Sequence, residues 1–165
     1  MRVGNGGNGA REANRAAVER PSLGVLWLLA ALVLSGCRDA RVLTTTQGTT
    51  PLSGPNAVVV VRTMRALREL GIRSASLHRN HAFGLVLLMG PHHATNFHQV
   101  IESVKASGDR IRIVAFERAP ADGGEPRPAF RTYTLWVVPN ADYRPGLIVD
   151  VISPDGLTIA TTTLR

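Results

Sequence analysis

One thiol and five imidazoles are the most reactive side chains in this sequence of 165 residues. The histidines, His78, His81, His92, His93 and His98, all fall within 21 residues. Neutral imidazoles bind zinc or copper, and two or three of them converging from a loop and a neighbouring strand would make a metal centre. Their spacing follows no ligand motif, however, no carboxylate stands near them until Glu102, and His92 and His93, being adjacent, point to different sides of an extended chain. Exposed loop histidines are the expectation, with no native metal and no cofactor. Catalysis finds no firmer footing. No Gly-x-Ser-x-Gly elbow occurs, the acids stand singly where glycoside chemistry needs a pair, and GNGGNG at residues 4–9 does not join a strand to a helix as a phosphate loop must. The sequence is expected not to encode an enzyme.

The thiol of Cys37 is set apart by what precedes it. Leu23 to Leu34 reads LGVLWLLAALVL, twelve residues without a charge, behind Arg20 and a polar, arginine-containing lead. That is the layout of a signal peptide. As a helix the run would rise about 18 Å at ~1.5 Å per residue, well short of the ~30 Å hydrocarbon layer, so it is too short to stay as a span. Leu34-Ser35-Gly36-Cys37 follows directly and resembles the lipobox of bacterial lipoproteins at all four positions: a branched apolar residue, two small ones, then the cysteine. Small side chains admit a peptidase to the Gly36–Cys37 bond, and only a thiol supplies the nucleophile for a thioether to diacylglycerol. Residues 1–36 are therefore expected to be a cleaved signal, with Cys37 becoming the acylated, palmitate-bearing N-terminus and the lipid bilayer its first partner. The other reading, a buried free cysteine, suits a core position better than the end of a hydrophobic segment. A single cysteine forms no internal disulfide, so stability must come from packing. Arg38, where aspartate would favour retention in the inner membrane, points to the outer rather than the inner membrane of a bacterial envelope, in or bordering the periplasm. The lead of residues 1–20 is long for such a signal, which places the expected translation start nearer Val18.

The formal charge of +7 divides at the same point, since the segment to be removed carries +2 and leaves +5. The remainder is spread over Arg62, Arg65, Arg68, Arg73, Arg79, Arg110 and Arg112 with acids between them, a solvated surface rather than a basic block. No nucleic-acid motif and no aromatic-basic pattern accompanies it, so nucleic acid is not an expected partner. Apolar residues make up 44% of the chain, enough for one domain with a packed core.

The elements that position these residues follow from pattern. Residues 38–56, RDARVLTTTQGTTPLSGPN, show no sustained apolar period and read as a flexible tether spanning on the order of 25 Å. Ala57 to Arg62 is a β-branched strand. Met64, Leu67 and Leu70, at spacing three before Gly71, predict a short helix over 63–70. Phe83 to Met89 is a central strand closed by Gly90-Pro91. In 109–117, Ile111, Ile113 and Ala115 alternate with Arg110, Arg112 and Val114, as in a strand with one wet face. Residues 119–131 form a Pro/Gly loop. Thr132 to Val138 is a strand with Tyr133, Leu135 and Val137 on one face and Trp136 on the other. LIVDVI and LTIATTTL flank Ser153-Pro154-Asp155-Gly156 and make a hairpin. At 97–105, Phe97, Val100, Ile101 and Val104 fall at helical spacing, with Asn96 as a cap, so periodicity alone favours a helix there.

From Val58 to Asn140 the order of these segments resembles the PrcB-like family, known from a lipoprotein subunit of a surface protease complex. The resemblance rests on a hydrophobic strand, the helix TMRALREL, the strand GLVLLMG at 84–90 and the loop PHHATNF at 91–97. It continues through VIESVKASGDRIRIV at 100–114 and TLWVVPN at 134–140. It covers about half the chain and includes no catalytic signature. Where that family usually has Thr-Gly-Gly-Tyr, this chain has Thr95-Asn96-Phe97, keeping the threonine and an aromatic residue but not the glycines. The resemblance implies that 97–105 is a strand paired with 110–117 across Ser107-Gly108-Asp109, overriding the periodicity. It also implies that 57–165 is a mainly β, sandwich-like domain of antiparallel sheets with one short helix, the C-terminal hairpin being additional. The role it implies is that of a non-catalytic accessory lipoprotein that docks on another envelope protein such as a protease. Arg112, on the wet face, and Trp136 are the candidate partner-binding residues. A structural envelope lipoprotein with no dedicated protein partner is the alternative.

Overall fold

In the computed structural model, residues 38–39, 41–73, 75–77 and 81–165 are described. Residues 1–36, expected to be a cleaved signal, Cys37, expected to be acylated, and His78 lie outside them. Among the described residues, nine strands form two sheets: β1 (Arg38–Asp39), β2 (Thr44–Thr50), β3 (Ala57–Val61), β4 (Ala82–Ala94), β5 (His98–Ser107), β6 (Arg110–Arg118), β7 (Pro126–Pro139), β8 (Ile148–Ile152) and β9 (Thr158–Thr163). A short helix, α1 (Met64–Glu69), follows β3, and a 3-10 turn, Asn140–Asp142, follows β7. A four-stranded sheet has the order β2-β7-β4-β3, and a five-stranded sheet the order β1-β5-β6-β8-β9. All neighbours are antiparallel except β6 and β8, which run parallel. Over the described residues the fold is thus mainly β, with two sheets and one short helix, as the sequence predicts; the parallel pair is the departure from all-antiparallel sheets.

Alternation within each strand builds two cores. Phe83, Leu85, Leu87 and Met89 of β4, with Trp136 and Val138 of β7, face Ile111, Ile113 and Ala115 of β6 and Val149 and Val151 of β8. This is the layer between the sheets. The opposite parity, Val86 and Leu88 with Tyr133, Leu135 and Val137, is covered by Leu67 of α1 and by Ile72, Ala75 and Leu77. Thr63 caps α1 by accepting the Ala66 amide at 3.1 Å, and Gly71, at φ 73°, ends it.

Three segment boundaries differ from expectation. The tether reading of 38–56 gives way to β1 and β2, and β2 pairs along its whole length with β7. Gly48, one of the residues that made the stretch look loop-like, sits opposite Tyr133, where a Cβ would come within 2.9 Å of the tyrosine ring. Glycine is required there for close approach. The loop expected at 119–131 is shorter, because β7 begins at Pro126, and β4 runs past Gly90-Pro91 to Ala94 through two register shifts. A buried cation holds the β2–β3 connection: Arg131, 7% exposed, donates from Nε to the Leu52 carbonyl at 3.2 Å and from Nη1 to the Pro55 carbonyl at 2.9 Å. Burial lowers its pKa from the ordinary arginine value.

Candidate docking surface

The outer face of the four-stranded sheet is covered by α1 and by Ile72, Ala75 and Leu77. The outer face of the five-stranded sheet has no such cover among the described residues. It is built from the parity of β5, β6 and β8 that leaves the core, in rows set by strand register. Ser103, Val114 and Ile152 form one row; Lys105, Arg112 and Asp150 the next; Ser107, Arg110 and Ile148 the third. Lys105, Arg110 and Arg112 are exposed. A groove of about 550 Å³ runs over this face between Ser103 and Ile152, with Asp109 at its turn end.

The charges are not evenly matched. Asp150 lies across from Arg112 but is ion-paired with Arg110, and it also accepts from the Thr161 hydroxyl at 3.0 Å. Arg112 is flanked on its other side by Lys105, a like charge directly opposite in the ladder. Such pairs disfavour the strand pairing they sit on. Among the described residues neither Lys105 nor Arg112 has an ion-pair partner.

A second polar group lies inside, where the two sheets meet. Glu117 Oε1 accepts from His92 Nε2 at 2.7 Å and from the Thr132 hydroxyl. Gln99 Nε2 donates to Thr132 Oγ1 at 3.0 Å and to the Leu87 carbonyl at 3.3 Å, while Gln47 Nε2 donates to the Gln99 carbonyl and to Thr134 Oγ1. The His92 ring stacks on Phe97 at 4.1 Å between centroids and lies 5.5 Å from that of Phe130. These bonds tie β5 and β6 of one sheet to β2, β4 and β7 of the other. The role is structural, with one loose end: Gln99 Oε1 is buried and has no hydrogen-bond partner among the described residues.

No family model, curated protein or solved structure matches this chain. The site must be read from its own residues.

Of the two residues expected to meet a partner, Arg112 stands exposed in the groove. Trp136 does not: it is 3% exposed between the sheets and presents no surface to anything outside. It packs there because β7 is central in its sheet and both of its faces are covered. The histidines separate, with His92 half-buried against Glu117 while His81, His93 and His98 are exposed. Among the described residues no three histidine, cysteine or carboxylate side chains come together. Sequence reasoning missed the His92–Glu117 bond, although a signal was present. Glu117 continues the parity of Ile111, Ile113 and Ala115, and an acid on a buried parity needs a partner.

Proposed function

We propose that this chain is a lipid-anchored, non-catalytic accessory lipoprotein of the bacterial envelope that docks on another envelope protein, such as a protease, through the outer face of its five-stranded sheet. The observation that carries the reading is the pairing of a lipobox-like sequence, Leu34-Ser35-Gly36-Cys37, with a domain whose one sheet face is uncovered among the described residues and grooved around Arg112. The motif supports attachment to a bilayer, and Arg38 after the cysteine favours the outer membrane. The face supplies a surface clear of the core. The resemblance to the PrcB-like family supports the accessory role, and the β5–β6 hairpin has the arrangement which that resemblance implied.

The test is crosslinking in intact membranes followed by purification of the full chain. One stoichiometric partner, lost on Arg112→Ala while the melting curve is unchanged, is the expected result. Recovery with bulk envelope material alone overturns the accessory role in favour of a structural lipoprotein.

A further inference from the structure

Resting on that docking face, we infer that the groove recognises an extended acidic segment of the partner, one carboxylate seated between Lys105 and Arg112 and an apolar side chain two residues away over Val114 and Ile152. The two cations stand directly opposite each other in the β5–β6 ladder, and the acid on the far side of Arg112 is engaged by Arg110 and Thr161. An incoming carboxylate relieves the like-charge contact and fills the vacant acceptor position. The planar guanidinium fork of Arg112 matches two carboxylate oxygens, with Lys105 as a point charge beside them.

The neighbouring row decides the class of anion. Val114 and Ile152 are register partners two residues along from Arg112 and Asp150. Residues i and i+2 of a strand lie about 7 Å apart on one face. An extended peptide carrying an acid and an apolar residue at that same i, i+2 spacing matches both rows at once. A nucleic-acid backbone or a headgroup layer presents a run of anions and has no apolar group at that interval. The groove is also concave, which suits a strand-width ligand better than a flat bilayer.

The experiment uses the isotope-labelled full chain in non-ionic detergent, titrated with the blocked peptide Ser-Glu-Ser-Leu-Ser and followed by amide NMR. The expected result is shifts confined to β5, β6 and β8, about tenfold weaker binding for Arg112→Ala, and loss with Lys105→Ala/Arg112→Ala together or with glutamine in place of the peptide's glutamate. Undiminished binding by Arg112→Ala, or binding that survives the double variant or the glutamine peptide, overturns the site. Equal or tighter binding of a single-stranded DNA oligomer, or of phosphatidylglycerol vesicles in detergent-free controls, overturns the acidic-peptide class. Failure of the accessory reading is separable: the peptide then binds as described while crosslinking in membranes yields no partner. Capture that depends on Arg112 without peptide binding leaves the docking face standing and overturns the carboxylate.

Discussion

Ile113 and Arg112 are adjacent in sequence and opposite in fate. Ile113 is fully buried between the sheets, and Arg112 is exposed. Ile113→Ala removes packed atoms and leaves a cavity, so a loss of ~2–5 kcal/mol is expected in denaturant melts. Arg112→Ala is expected to change stability by only about 0.5 kcal/mol. Equal effects would refute the strand register. Arg131 makes a second case at this scale. A lysine there keeps the charge but has no rigid fork to reach the Leu52 and Pro55 carbonyls together, so Arg131→Lys is expected to cost roughly 1–3 kcal/mol. Limited proteolysis within 51–56 checks the cause, since accelerated cutting reports the loosened connection. The burial of Ile113 was legible from alternation. The burial of Arg131 was not, because its acceptors lie more than 70 residues away in the chain.

Among the elements, β5 shows how a pattern misleads. Ile101 and Val104 are three apart, a helical interval, yet both pack toward the inter-sheet core. The reason is a register shift between Ile101 and Ser103: Ile101 pairs with Ala115 and Ser103 with Val114, so Glu102 is the extra residue of a bulge. A bulge turns a period of two into an apparent period nearer three at that point. β2 misleads in the other direction, since TTTQGTT carries no apolar signal. Its place is paid for by backbone bonds to β7, by the Gly48–Tyr133 contact and by buried Thr50, whose hydroxyl donates to the Leu70 carbonyl at 2.6 Å. A chain of residues 57–165 is accordingly expected to be less stable than one of 41–165, with a lower melting temperature and a β7 edge open to association. Matching melting curves and monomeric elution for both would show that β2 adds nothing.

For the whole molecule, the proposed anchor and the domain are separable in test. Cys37→Ser removes the only thiol, and stable anchoring needs two or more acyl chains at ~0.8 kcal/mol per buried methylene. The variant is expected to stay unprocessed or to release from membranes on carbonate washing, with the domain still folded by circular dichroism. Normal maturation and retention would refute the acylation reading. The sequence by itself determined the mainly β class, α1, the β8–β9 hairpin and the inward parity of β6, because each is written in residues adjacent or nearly adjacent along the chain. Only the tertiary structure decided that 44–50 is a strand, that Trp136 is core, that β8 runs parallel to β6, and that Asp150 belongs to Arg110 and leaves Arg112 beside Lys105. These depend on which strands become neighbours, and pairing partners are chosen by the burial of both faces across the folded chain, which no local period records.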